Sequence, residues 1–184
     1  GVLELEIQLK KYKAWQVHAA FNLKNARFEN PKYNIIANQV NAKGNLYWTP
    51  SVFKINLDHV YAKVHSDSLS LQGTYSNSTS EVLDVNLFAN MQLQQWMTLI
   101  PVDTLSMLKG QIKTQMALHA SRLNDMQPWQ THASAATFSY REGELKFKHD
   151  SLAWKGLNIE AQWNGETLKI NQFKGARGSS DILC

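Results

Sequence analysis

The sequence predicts an all-β protein: a curved antiparallel meander sheet that forms an open groove or a sandwich-like half-barrel. Apolar residues alternate with polar ones over most of the chain, beginning with Leu3, Leu5, Ile7 and Leu9. Successive side chains on a strand point to opposite faces, so each such segment has one apolar and one polar face. Turn signals separate the segments, and helical spacing is confined to one region. We therefore expect a single β-groove segment over residues 1–184.

The two-residue period marks the strands in order along the chain. It is strong over residues 15–23, 82–91 and 111–120. Between Leu57 and Val60 the apolar phase reverses, which predicts a β-bulge that keeps the apolar face on one side. Towards the end of the chain, residues 141–144 and 164–167 indicate turns. The second contains Asn164-Gly165, a pair that favours tight hairpins, so this part is expected to consist of short hairpin strands.

One short helical insert is predicted near residues 93–109. Its apolar side chains fall at i, i+3, i+4 and i+7 and are Leu93, Trp96, Met97 and Ile100. Pro101 would end this first turn, and Asp103 is a suitable N-cap for a second short helix. Gly110 would follow that helix as a left-handed C-terminal residue.

Composition excludes several protein classes. Hydrophobic residues make up 43% of the chain and charged residues 18%, as in folded globular proteins. The lone cysteine, Cys184, cannot form a disulfide within the chain. No apolar run approaches the roughly 18 residues that a membrane-spanning helix needs. We expect the chain to be a fragment of a longer protein.

The net charge of +4 is mild, and its densest cluster is Lys10, Lys11 and Lys13 beside Tyr12 and Trp15. Basic and aromatic groups together occur in nucleic-acid sites. Three lysines at a hairpin tip also describe an ordinary solvated turn, and this interpretation is preferred. No nucleic-acid partner is expected.

No catalytic chemistry is indicated. The sequence has no Gly-rich phosphate loop, no G-x-S-x-G and no H-E-x-x-H. The six histidines occur singly, without a companion at a spacing typical of zinc ligands. Glu142 and Glu144 fall in a predicted turn that is exposed to water, so they do not indicate a catalytic carboxylate pair. We predict a non-enzymatic protein with no catalytic residues, no metal site and no cofactor.

The functional question is what covers the apolar face. A second sheet, closure into a barrel, a lipid bilayer or a bound lipid could each do so. Two packed sheets are the commonest arrangement. From the alternation alone, a sandwich ranks ahead of a trough that holds acyl chains.

Residues 84–183 carry three similarities to a known protein family. The first similarity begins with a strand that ends in Asn90-Met91-Gln92-Leu93, followed by a short L-x-x-L-x-P helix that ends in Ile100-Pro101. Leu105 to Leu108 then lead into Lys109-Gly110-Gln111-Ile112, where an L-x-G-x-L/I motif begins the next strand. The second is a run of short hairpins, carried by Phe138-Ser139-Tyr140, Gly143, Leu145, Leu157, Gly165, Leu168 and Ile170. The third is a G-x-x-G-x-S-D strand entry at Gly175-Ala176-Arg177-Gly178-Ser179-Ser180-Asp181. With these three motifs, residues 84–183 resemble the periplasmic part of the AsmA-like family, the relatives of TamB and YhdP. Residues 1–83 resemble that family only in the style of their strands.

The resemblance implies a bacterial bridge-like lipid transfer protein of the periplasm, anchored to the inner membrane by a segment outside this sequence. Its partner would be a phospholipid or another acyl-chain lipid, and its role would lie in outer-membrane lipid homeostasis. The candidate lipid-binding residues are Val85, Leu87, Ile112, Met116, Leu118, Phe138, Phe147, Leu157, Ile159, Trp163, Leu168 and Ile170.

Two further expectations follow from the strand pattern. The alternative function is a β-sandwich interaction module, an envelope scaffold or surface adhesin, with a closed core and binding loops such as residues 75–81. Unpaired strands at the two ends of the sheet would favour edge-to-edge self-association of the fragment.

Overall fold

The computed structural model describes residues 1–11, 14–33, 35–97, 104–123 and 126–183, without the side chains of Tyr33, Ile35, Trp96 and Ala133. Within these residues lie eleven strands, one 3-10 turn and one short helix. The strands are β1 (Val2–Lys11), β2 (Trp15–Asn30), β3 (Ile35–Thr49), β4 (Val52–Val64), β5 (Asp67–Asn77), β6 (Glu81–Gln92), β7 (Leu105–Arg122), β8 (Gln130–Phe147), β9 (Trp154–Trp163), β10 (Leu168–Arg177) and β11 (Ser180–Leu183). The 3-10 turn is Pro31–Tyr33, and the helix α1 is Leu93–Trp96.

All eleven strands form one antiparallel sheet in chain order, from β1 at one edge to β11 at the other. The extensive contacts are those between consecutive strands and those of α1 with β7. The prediction of an all-β, curved and open meander is confirmed. No second sheet packs on this one among the described residues, so the closed-core sandwich is wrong as an architecture for them.

The predicted β-bulge in β4 is confirmed. The register of β4 with β5 shifts between Leu57 and Val60, and its register with β3 shifts at the same place. Asp58 is the extra residue, which keeps Leu57 and Val60 on one face. A second bulge lies in β8, where Tyr140 pairs with Ile159 and Gly143 pairs with Leu157.

This second bulge corrects the prediction of a turn at residues 141–144. Glu142 has a φ of 52°, which is typical of a turn, but the chain continues in the same direction as one strand of 18 residues. A bulge and a tight turn use similar local conformations, and strand pairing on both sides decides between them. The hairpin at residues 164–167 is confirmed, because Asn164 Oδ1 accepts hydrogen bonds from the backbone N–H of Glu166 and Thr167.

The predicted helical insert is much shorter than residues 93–109. The helix is limited to Leu93–Trp96, and residues 98–103 lie outside the described residues. The prediction of a second helix is wrong from Leu105 onwards, because β7 begins there and Leu108 pairs with Leu145 of β8. A short segment with helical spacing can instead form a strand when it pairs with a long neighbouring strand, because tertiary pairing outweighs weak local propensity.

The tightest packing lies where α1 meets the sheet. Leu93, Tyr140 and Leu157 are each buried, at 5–7% exposure. Seven partly buried side chains pack around them: Leu108, Ile112, Phe138, Leu145, Trp154, Ile159 and Phe173. We call these ten residues the helix-side cluster. It fills only the part of the sheet from β7 to β10, next to α1.

Candidate functional site

The strand register joins the apolar residues of separate strands into continuous rows. Residues paired across antiparallel strands point to the same face of the sheet. The longest row crosses ten strands without a polar residue and consists of Leu3, Leu23, Ala42, Val60, Leu71, Leu87, Met116, Ala136, Trp163 and Leu168. We call this the main row, and the side of the sheet that carries it the apolar face.

Two further rows run beside the main row from β1 to β7. One consists of Leu5, Phe21, Gly44, Leu57, Gly73, Val85 and Leu118, and the other of Ile7, Ala19, Leu46, Ile55, Tyr75, Leu83 and Ala120. Both lie on the apolar face. The pairing therefore builds a broad apolar surface rather than a narrow stripe.

The main row is long on the scale of a lipid. Nine intervals of about 4.8 Å between neighbouring strands give roughly 43 Å. The hydrocarbon core of a whole bilayer is about 30 Å thick and contains two opposed chains, so one acyl chain fits within this length.

Much of the apolar face is uncovered. The four apolar side chains of β1 are 54–63% exposed, and Leu69 on the central strand β5 is 40% exposed. Leu168 and Ile170 on β10 are 66% and 58% exposed. No side chain of comparable size is fully buried among the described residues. A contiguous exposed apolar surface of this kind marks a binding site for a protein, a membrane or an apolar ligand.

The twelve residues proposed from the sequence share the apolar face but differ in their surroundings. Four of them belong to the helix-side cluster: Ile112, Phe138, Leu157 and Ile159. Five lie half-buried on the rows described above or beside their ends: Val85, Leu87, Met116, Leu118 and Trp163. The remaining three are exposed: Phe147, Leu168 and Ile170. The first group packs against the protein itself, whereas the other two groups present apolar surface to solvent.

The sequence-based selection missed the first five strands of the surface, β1 to β5. It began at Val85, whereas Leu5, Ile7 and Leu69 on the preceding strands are 56%, 54% and 40% exposed. The signal was present in the alternation of β1 and β5. The missing information was the register, which places those strands beside β6 and extends its rows.

An ion pair interrupts the apolar face near the hairpin that joins β5 to β6. Arg122 donates two hydrogen bonds of 2.9 Å to Glu81, and the Glu81 side chain is 7% exposed. The Tyr75 hydroxyl donates a third hydrogen bond of 2.9 Å to Glu81. Burial raises the pKa of Tyr75 above its usual value, and the bond to Glu81 raises it further. This corner of the apolar face is therefore polar, and its groups are already hydrogen-bonded to one another.

On the opposite, polar face, pairing brings together two histidines that are separate in the sequence. His119 lies opposite His132, with ring centroids 5.8 Å apart, and its Nδ1 contacts Asp84. His132 Nε2 and the Ser121 hydroxyl are 2.9 Å apart. No group of three or more metal-ligating side chains occurs in the described parts of the chain. These contacts are solvent-exposed and do not form a closed pocket around a reacting atom.

No protein-family model, curated protein or solved structure matches this chain. Within the described residues, no helix has the length and apolar character needed to cross a membrane.

Proposed function

We propose that this chain is a non-enzymatic lipid-binding segment that holds acyl chains on the open apolar face and lets them move along it. The main row supports the proposal most directly, because ten apolar residues from ten strands form one continuous track. A lipid tail on the track would be shielded from water by the sheet, while its headgroup stays in solvent.

The physical chemistry of the track favours movement over tight capture. Each methylene removed from water contributes about 0.8 kcal/mol. Because the rows repeat the same kind of surface every strand, shifting a chain by one strand exchanges one apolar contact for another. The affinity is therefore spread over the track, without one strong site that would trap the lipid.

The resemblance to the AsmA-like family extends this proposal to a cellular role. In that role the segment belongs to a periplasmic protein anchored to the inner membrane, and it carries phospholipid for outer-membrane lipid homeostasis. An open sheet with an uncovered apolar face supports this proposal because a lipid can enter from the side at any strand.

The direct test is to purify the chain and analyse bound phospholipid by solvent extraction and mass spectrometry. The main-row variant Leu87→Asp/Met116→Asp places two charges on the track and should lose most of the bound lipid. Asn86 and Gln115 are the next residues on the same strands and face the polar side. The matched control is therefore Asn86→Asp/Gln115→Asp, which adds the same charge and should retain its lipid.

Two results would overturn the proposal. One is wild-type protein that carries no lipid after purification and takes up none from labelled vesicles. The other is an equal loss in both double variants, which would mean that negative charge rather than the apolar track determines binding. Circular dichroism verifies that each variant keeps its strand content.

A further inference from the structure

Tryptophans are concentrated at the hairpins on one side of the sheet. The turns β1–β2, β3–β4, β5–β6, β7–β8 and β9–β10 all lie on the side opposite α1, and we call this side the hairpin rim. Four of the six tryptophans lie at it, one for each of these hairpins except β5–β6: Trp15, Trp48, Trp129 and Trp163. Trp15, Trp48 and Trp129 are 52%, 40% and 38% exposed.

Exposed tryptophan is costly in water unless it has a partner. In membrane proteins tryptophan concentrates at the level of the lipid headgroups, where the ring is partly buried and its N–H still meets water. A row of tryptophans along one rim of a sheet has the form of such an aromatic belt.

The neighbouring hairpins β1–β2 and β3–β4 add positive charge to the rim. Lys10 and Lys54 are exposed on the polar face of the sheet, and Lys11 lies with its Nζ 5.3 Å from the centre of the Trp15 ring. The sequence contains no Asp or Glu over residues 7–28 or 30–57. This corner of the rim is therefore basic, without acidic side chains of its own.

At this corner of the rim, one face of the sheet carries apolar and aromatic side chains, and the other face carries lysines. Leu9, Trp15 and Trp48 lie on the apolar face, and Leu9 is 63% exposed. Lys10 and Lys54 lie on the other face. Apolar and aromatic groups can enter the headgroup region while the lysines contact phosphates, as in interfacial amphipathic segments.

We infer that the hairpin rim, led by the β1–β2 and β3–β4 hairpins, docks on the surface of a bilayer that contains anionic phospholipid. The inference does not rest on the proposed lipid track, because docking needs only the rim. If both hold, the track reaches the membrane surface at the β9–β10 hairpin, since Trp163 belongs to both the main row and the hairpin rim.

The experiment is co-sedimentation of the full chain with vesicles of phosphatidylcholine alone or with 30% phosphatidylglycerol, a composition chosen to set the surface charge. The wild-type protein should bind the anionic vesicles more tightly, and added salt should weaken the binding. Each lysine near an anionic surface contributes about 1 kcal/mol, so Lys10→Glu/Lys11→Glu should weaken binding by at least about 30-fold. Trp15→Ala/Trp48→Ala should weaken binding to both kinds of vesicle.

The controls make the same chemical changes away from the rim. Lys63→Glu/Lys148→Glu alters two exposed lysines near the side of α1, and Phe28→Ala/Phe88→Ala removes two exposed aromatic rings. Both should bind within about threefold of wild type.

Three results would overturn the inference: no preference for anionic vesicles, an equal loss in the control variants, or tighter binding to a single-stranded oligonucleotide than to the vesicles at the same salt. Extraction of bound lipid from the same variants separates the two proposals. A rim variant that still carries lipid but no longer sediments with vesicles shows that docking and tail binding are independent.

Discussion

Whether the apolar face is open can be tested by comparing how much two leucine-to-alanine substitutions lower the free energy of unfolding. Leu69 lies on the central strand β5 and is 40% exposed, whereas Leu157 lies in the helix-side cluster and is 5% exposed. Both point to the apolar face. We predict that Leu157→Ala destabilises the protein much more than Leu69→Ala.

The magnitudes follow from how much apolar surface each side chain removes from water. Fully burying a leucine side chain contributes about 1.5–3 kcal/mol to the free energy of unfolding. Leu69 is only partly buried, so replacing it with alanine should lower that free energy by roughly 1 kcal/mol. Its replacement should leave no closed cavity, because the Leu69 side chain is open to solvent in the described part of the chain. Leu157→Ala loses nearly the full transfer free energy and leaves a cavity between Tyr140 and Leu93, so it should cost about 3 kcal/mol.

The assay is urea denaturation followed by circular dichroism, with the free energy of unfolding extrapolated to water. The expected difference between the variants is about 2 kcal/mol. Equal costs of about 3 kcal/mol for both would mean that a protein layer covers Leu69, and the open-face interpretation would then be wrong. The protein must be freed of lipid first, because a bound ligand stabilises the folded state.

The remaining predictions concern the buried polar groups. Glu81→Ala removes a nearly buried partner of Arg122 and should cost about 2–3 kcal/mol in urea unfolding, whereas Glu4→Ala, at an exposed ion pair, should leave the midpoint unchanged. A similar midpoint for both variants would contradict the burial of the first pair. Tyr140→Phe deletes a hydrogen bond of 2.5 Å to a backbone carbonyl and should cost about 1 kcal/mol. Burial, and secondarily the charge of Glu144, raises the pKa of Tyr140, so the folded state holds this proton more tightly than the unfolded state. Stability should therefore fall as pH rises above the ordinary tyrosine pKa of about 10, and Tyr140→Phe should show a smaller fall in melting temperature between pH 9 and 11. An unchanged alkaline fall in the variant would exclude Tyr140 as its source.

Several features of the fold could be predicted from residue pattern because they depend on neighbours in the sequence. The alternation at Leu3 to Leu9 defines two faces of a strand, and the phase reversal at Asp58 defines a bulge. Asn164-Gly165 defines a hairpin. Each of these uses only the geometry of a few consecutive residues.

Other features depended on contacts between distant residues. The turn predicted at residues 141–144 became a bulge because β7 and β9 pair on either side of β8. The helix predicted to reach residue 109 ends at Trp96, and β7 begins at Leu105. Local pattern could not separate these outcomes, because the conformations compete and pairing partners decide between them.

The same division applies to the candidate site. The alternation of residue types is enough to show that this chain has one apolar and one polar side on nearly every strand, because side-chain direction alternates along any extended backbone. The folded sheet, by contrast, shows that the apolar sides join into rows across ten strands and stay partly exposed from β1 to β6. Those properties depend on strand register and on the absence of a second layer over the described residues, and alternation along one strand carries no information about either.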